Sequence, residues 1–249
     1  MQMLATPVPI PEAISTGHRN ASQRLPLETL DRNIRNVLAF SVCYRTNQQL
    51  LSFWSRLTIM RISGGTARGK LLAPLAGQEI RPTPDKVRQA LFNILRSRLG
   101  ALEGLRVLDL FSGTGALAIE ALSRGAKEAV LIDQGRQSAL LIPKNLRECR
   151  VWERAVFFPG EVLVQLPKLS GSFDIIFLDP PYDQGLQHQT LIRLSELQLL
   201  AGGGVICAET GRTEELPDQV GALLRETTRF YGSTALHFYS LPPNEADLP

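Results

Sequence analysis

An α/β fold, built on a mostly parallel sheet that ends in an antiparallel hairpin, is what this sequence predicts, and three observations predict it. From Gly104 onward, short apolar strand patterns alternate with helical patterns. A glycine-rich turn joins the first of these strands to the first helix. The tail then breaks the alternation, with two strand patterns and no helix between them.

The 249 residues, 44% of them hydrophobic, can bury one sizeable core or one core plus a small appendage. No apolar run approaches the roughly 20 residues of a membrane span, so the expected protein is soluble, and Met60 as a natural start makes the cytoplasm its expected place. Cys43, Cys149 and Cys207 stand far apart, as do the histidines, and no zinc-ligand spacing occurs. Free buried thiols, no metal and a monomer are the expectation.

The elements follow in order. Residues 1–59 carry Pro7, Pro9 and Pro11 and six arginines against Glu12, Glu28 and Asp31. This composition fits a poorly ordered tail, an organelle transit peptide, or an upstream stretch read from the wrong start codon, since Met60 precedes the first regular pattern. Residues 60–100 form a second region. Gly64-Gly65 and Gly69 punctuate short segments, including Lys70–Leu72 and Glu79-Ile80, that read as a small β element. Asp85 then opens a helix with Val87, Leu91, Ile94 and Leu95 at helical spacing, Pro84 before it and Gly100 after it. Residues 101–249 hold the main fold. Its strands are predicted at Arg106–Leu110, Ala129–Asp133, Ala155–Phe158, Phe173–Leu178 and Gly204–Glu209. Its helices are predicted at Ala116–Ser123, Arg136–Cys149, Glu161–Leu166 and Leu186–Leu199. Glu226–Tyr231 and Ala235–Leu241, joined through Gly232-Ser233, read as the edge hairpin.

Net charge is +3, but it is unevenly spread. Arg61, Arg68, Lys70, Arg81, Lys86, Arg88, Arg96 and Arg98 face only Glu79 and Asp85 between Met60 and Arg98. Such a block is either a polyanion-facing surface or the solvated face of an amphipathic helix.

Two loops carry chemistry. In Asp109-Leu110-Phe111-Ser112-Gly113-Thr114-Gly115, the glycines let the backbone lie against a ligand, and the helix that follows offers free N–H groups. Asp133 ends the next strand about 20 residues on, where a carboxylate can accept from ribose hydroxyls. This pattern predicts a nucleoside cofactor without naming it, since Gly113-x-Gly115-x-x-Ala118 also satisfies a dinucleotide fingerprint. The second loop, Asp179-Pro180-Pro181-Tyr182, follows an apolar strand expected beside the first. An exocyclic base amine is a poor nucleophile because its lone pair is delocalised into the ring. Asp179 and the Pro180 carbonyl can accept from that amine and favour its pyramidal form. The two prolines stiffen the loop. Tyr182 can stack on a base taken out of its helix or loop.

With these motifs in place, the chain resembles the RsmD-type bacterial small-subunit (16S) ribosomal RNA guanine-N2 methyltransferases, from about Arg61 to about Leu241. The most specific likeness is the front end: Arg61-Ile62-Ser63-Gly64-Gly65-Thr66-Ala67-Arg68-Gly69-Lys70-Leu71, then Arg81-Pro82-Thr83-Pro84-Asp85-Lys86-Val87-Arg88 and Leu91-Phe92-Asn93. The resemblance implies a Rossmann-like class I methyltransferase sheet with a small N-terminal β-hairpin extension that helps hold RNA, and S-adenosylmethionine as cofactor. It implies cofactor contacts at Asp109, Phe111, Ser112, Gly113, Gly115 and Asp133, with Glu161 near the adenine, and catalysis at Asp179, Pro180, Pro181 and Tyr182. The chain departs from the pattern at Gln134-Gly135, which lacks a second acid after Asp133. Arg61, Arg68, Lys70, Arg81 and Arg88 become candidate phosphate contacts on ribosomal RNA or its assembling particle, although Arg81 and Asp85 can equally pair at the helix start.

Four other functions compete. DNA adenine-N6 or cytosine-N4 methyltransferases share the Asp-Pro-Pro-aromatic logic but normally carry a target-recognition domain for which there is little room here. Protein-glutamine methyltransferases usually begin the motif with Asn. A nicotinamide-dependent oxidoreductase would share the glycine loop, and an inactive RNA-binding assembly factor would share the fold but has no need of Asp179 and Tyr182.

Overall fold

The computed structural model describes residues 60–74, 85–181 and 185–242, all within the unit Arg56–Pro249. The expected strand at Glu79-Ile80, and the candidates Arg81 and Tyr182, lie outside the described residues. Helix α1 (Asp85–Leu99) precedes an alternating series. This series runs β1 (Arg106–Leu110), α2 (Ala116–Ser123), β2 (Glu128–Asp133), α3 (Arg136–Glu148), β3 (Ala155–Pro159), α4 (Val162–Gln165) and β4 (Phe173–Leu178). Then come α5 (Leu186–Glu196), β5 (Leu200–Gly211), β6 (Gln219–Val220), β7 (Leu223–Tyr231) and β8 (Thr234–Ser240).

These strands form one sheet in the order β3-β2-β1-β4-β5-β8-β7-β6. The first five are parallel, and β8 and β7 run antiparallel. The expected hairpin is present, with β8 against β5 and β7 outside it. The two-residue β6 was not foreseen, being too short to carry a period. β5 starts four residues before its predicted Gly204 because Leu200 already pairs with Phe173. The register then slips before Val205 meets Ile175, across Gly202-Gly203-Gly204, with Gly203 at φ 76°.

Period-two alternation sends successive side chains to opposite faces. Val107, Leu131, Ile175, Phe177, Val205 and Cys207 pack against α1, α2 and α3. Leu108, Leu110, Ile176, Leu178, Ile206 and Ala208 pack against α4 and α5. Both faces are therefore covered, which is why the central strands are apolar throughout. Because β1 lies between β2 and β4, the strand order reverses there, and the loops after β1 and β4 open beside each other.

Helix α2 is buried nearly all round, and its outer side is covered by residues 60–74. Arg61 bridges Leu71 antiparallel, with Ile62 N–H donating to Lys70 O (3.0 Å) and Leu72 N–H to Met60 O (2.9 Å). Ser63 docks this arm onto the buried Glu120 of α2, its N–H and Oγ each donating to a carboxylate oxygen at 2.7 Å. A Cβ on Gly65 would sit 1.8 Å from Ser123 O, and its φ is +76°, so only glycine fits this approach. Among the described residues no helix is long and apolar enough to cross a membrane.

Candidate active site

β1 delivers Asp109 to the C-terminal end of the sheet, where its carboxylate accepts from Ala118 N–H (3.0 Å) at the start of α2. The chain leaves β1 through Phe111 at φ 59°, a left-handed conformation unfavourable for a bulky side chain. Gly113 (φ 55°) and Gly115 (φ 78°) complete the turn. A Cβ on Gly115 would meet Leu131 Cδ2 at 3.1 Å, so glycine there lets the helix close onto the sheet. The Ser112 hydroxyl sits between two carbonyls, Asp109 O (2.6 Å) and Ile132 O (3.0 Å), so it shapes the turn. Asp133, ending β2, accepts from Gly113 N–H (2.8 Å) through one oxygen and from Gly135 N–H (2.7 Å) through the other. One carboxylate thus ties the glycine loop to the β2 end. Glu161, the residue before α4, is exposed beyond β3.

β4 places Asp179 on the same edge. Asp109 is opposite Phe177 in register, and Leu178 is opposite Ala208, so Asp179 falls two residues beyond Phe177 on the face that bears Asp109. Pro180 is buried and Pro181 exposed. Burial raises the Asp179 carboxyl well above its ordinary range, and the charges of Glu209 and then Asp109 add to the effect. Asp109 is pushed up to about 7, chiefly by burial, against the Ala118 bond and with help from Asp133.

The site is thus acidic. Among the described residues no ion pair neutralises Asp109, Asp133 or Asp179, and no cluster of His, Cys, Asp and Glu is arranged to hold a metal ion. A cluster of carboxylates suits a cofactor carrying a positive centre and repels the pyrophosphate of a dinucleotide. Sequence reasoning missed two residues here. Glu209, buried on β5 beside Asp179, closes the apolar run Val205–Ala208, and an acid at that strand end was its signal. Asn145, buried on α3, donates to Thr114 O (2.9 Å) in the glycine loop and accepts from Ala73 N–H (2.9 Å) in the arm. Nothing in the spacing marks it.

Of the candidate phosphate contacts, Arg61, Arg68 and Lys70 are exposed on the arm, with Arg61 Nη1 donating to Gly69 O (2.9 Å). Arg88 is a correction. It is fully buried, pairs with Asp85 (2.7 Å), donates to Arg61 O and faces Glu120 at 3.7 Å. Glu120 in turn holds Arg124 at 2.8 Å. The guanidinium is enclosed because it compensates a carboxylate beneath the arm, so it presents nothing to a phosphate. Asp85 pairs with Arg88 at the start of α1.

A sheet of this order with a glycine loop after β1 and Asp-Pro-Pro after β4 defines a Rossmann-like methyltransferase. Residues 60–240 match the family model described as "Conserved hypothetical protein 95". The ribosomal RNA small subunit methyltransferase D of Haemophilus influenzae is 33% identical over 174 residues, covering 68% of this chain and 89% of that protein. Its Escherichia coli K12 namesake is 34% identical over 158 residues, covering 64% and 78%. A hypothetical protein of Thermus thermophilus superposes with TM-score 0.63 at 32% identity, covering 72% of this chain and 98% of that one. A methyltransferase structure solved with SAH aligns at TM-score 0.54 and 16% identity, covering 70% and 54%, a likeness of fold alone. The chain belongs to the RsmD family. The acidic, glycine-lined edge suits a cofactor with a cationic centre, as S-adenosylmethionine has.

Proposed function

We propose that this protein transfers a methyl group from S-adenosylmethionine to the exocyclic N2 amine of a guanine in small-subunit ribosomal RNA, acting as a monomer. The observation that carries the reading is the position of Asp179-Pro180-Pro181 at the β4 end, beside the Asp109 loop, in a family whose named relatives act on that RNA.

The cofactor supplies a methyl group activated by its sulfonium. Asp133 would hold the ribose and Gly113 and Gly115 the cofactor's passage over the loop, with Phe111 alongside and Glu161 towards the adenine. Asp179 accepts from the guanine amine and, with the Pro180 carbonyl, turns its lone pair towards the methyl. Holding the two reactants in line supplies much of the acceleration. Asp179 need not deprotonate the amine before attack, because the methylated amine is acidic enough to lose its proton afterwards. Tyr182 stacks on the extruded base. Arg61, Arg68 and Lys70, joined by Arg81, contact phosphates and set the position of the RNA without reading its sequence. Activity resides in residues 60 onward, so removing residues 1–59 leaves turnover unchanged.

The test is methyl transfer from labelled S-adenosylmethionine to undermethylated small-subunit RNA or particles, with nucleoside analysis of the product. N2-methylguanosine at one site is expected, and Asp179→Ala should abolish transfer while cofactor affinity stays near wild type. Cofactor binding with transfer to DNA or protein alone would overturn the reading, as would full activity in the Asp179 variant.

A further inference from the structure

The turn between α3 and β3 carries features that the methyl-transfer site does not use. Arg147, Arg150, Val151, Trp152, Glu153 and Arg154 line an open depression of about 440 Å³. Trp152 is 37% exposed, an unusual place for an indole, and the Arg147 guanidinium lies over its ring at 4.4 Å. Arg150 projects from a left-handed turn at φ 59° and is exposed. Among the described residues neither Arg147 nor Arg150 forms an ion pair, whereas Arg154 is committed inward to Ala126 O (2.7 Å) and Leu122 O (3.0 Å) at the end of α2. Glu153 alone opposes these charges within the depression.

The depression adjoins the basic arm. Ala73 is hydrogen-bonded to Asn145 on α3. The Lys70 ammonium is close enough to the Cys149 thiol to offset part of the rise that burial and Glu148 impose on it. Exposed cations thus stand on both segments, Arg68 and Lys70 on the arm and Arg147 and Arg150 on the turn, with the exposed Glu148 also close to Cys149. The strands place this turn relative to the chemistry. Trp152 precedes the N-terminal end of β3, and Asp179 follows the C-terminal end of β4, three strands across. At about 3.3 Å per residue and 4.8 Å per strand, Ala155 at the start of β3 is roughly 20 Å from Asp179, and Trp152 lies beyond it.

We propose that this depression is a second RNA-binding site, in which an unpaired nucleotide of the substrate RNA stacks on Trp152 while Arg147 and Arg150 take its flanking phosphates. The inference rests on the RNA substrate proposed above. An aromatic face accepts any base, and arginines beside it track the backbone, the combination by which proteins hold single strands without reading sequence. Such a site engages RNA remote from the target guanine. It therefore contributes to substrate affinity and leaves the chemical step alone.

The chain has two tryptophans, so Trp54→Phe in the full-length protein makes Trp152 the sole indole reporter. Titration with an unstructured RNA 12-mer should quench its fluorescence saturably, less so as salt rises, and Arg150→Ala should weaken the complex. In the methylation assay, Trp152→Ala should raise the KM for RNA roughly tenfold, the size expected for one lost base–aromatic stack, with kcat and the cofactor KM unchanged. Arg150 is exposed, so Arg150→Glu tests the same site without disturbing the core. Saturable quenching by the 12-mer, in a protein that methylates no ribosomal RNA, would refute the methylation reading and support the platform. Normal methylation with a KM indifferent to both Trp152→Ala and Arg150→Glu would refute the platform and spare the methylation reading. Quenching by poly-glutamate but not by RNA would also overturn it, in favour of an acidic protein partner.

Discussion

Arg88→Met separates the two roles an arginine in the front block can play. The guanidinium is fully buried between Asp85 and Glu120, and Met preserves much of its volume while removing its charge and donors. Removing one partner of a buried ion pair typically costs about 3–5 kcal/mol, because the other charge is left uncompensated. Here Glu120 keeps Arg124 at 2.8 Å and both Ser63 donors at 2.7 Å, and the Asp85 side chain is 52% exposed. The expected loss therefore lies near the lower figure, about 3 kcal/mol. For a domain of this size each kcal/mol moves the melting point about 2–4 °C, so Arg88→Met should melt about 6–12 °C lower. Arg68→Met, an exposed change, should stay within about 0.5 kcal/mol of wild type and act on RNA affinity instead. Adding Glu120→Gln to Arg88→Met should cost less than the sum of the two single changes, because the charge left behind is gone. The assay is thermal and urea denaturation alongside RNA binding at a temperature where every variant is folded. A variant of Arg88 with the wild-type melting point and a weakened RNA complex would refute the enclosed-arginine account.

Two groups should give opposite slopes to stability against pH. His237, buried between Thr210 and Thr228 at 2.9 and 3.0 Å, is lowered to about 4 mainly by burial, so the stability it contributes is lost as pH falls from its ordinary 6.5 through 4. Asp109, raised from 3.8 to about 7, behaves in the reverse sense. The folded state binds its proton more tightly, and stability is lost as pH rises through about 7. Asp109→Asn should therefore flatten the fall between pH 4 and 7 in urea titrations, and an unchanged profile would contradict the assignment. For the thiols, burial pushes Cys149 up to about 11 and raises Cys207 further, so both should resist a thiolate-selective reagent in the native protein and react on unfolding. Rapid native labelling at either position, located by peptide mapping, would show that the chain opens there.

The parallel core was legible because its signals are local. Arg106–Leu110 and Phe173–Leu178 are apolar runs bounded by turn residues, and both strands form with the predicted limits. Ala116–Ser123 was equally readable as a helix. What covers that helix was not readable, because burial of Arg88 and Glu120 depends on two segments meeting more than twenty residues apart in sequence. Charge in a sequence says nothing of which side chain is enclosed, so Arg88 looked like its exposed neighbours Arg61 and Arg68. The same limit hid Asn145, whose two partners come from the arm and the glycine loop. Asp133 illustrates the contrary case. Position alone marked it as the end of β2, where the strand does end, although its bonds to Gly113 and Gly135 N–H formed no part of that expectation.

Under the role proposed for Asp179, its raised proton affinity bears on the order of events in the reaction. Were Asp179 the base that removes a proton before attack, it would have to act on a neutral aromatic amine, which scarcely gives one up. A carboxylate above its ordinary range is better matched to the later proton, released once the methylated nitrogen is cationic. In the proposed mechanism Asp179 must still be ionised to accept from the amine, so turnover at saturating cofactor should fall as pH drops through its folded pKa. The causes of that elevation predict how the acid limb moves. Burial comes first and persists in any conservative variant, so the limb should stay above the ordinary value of 3.8. Glu209 comes second, so Glu209→Gln should move the limb to lower pH while the plateau stays close to wild type, and Asp109→Asn should move it less. If the limb is unmoved in Glu209→Gln, it belongs to another group, and the like-charge coupling across β1, β4 and β5 plays no part in the reaction.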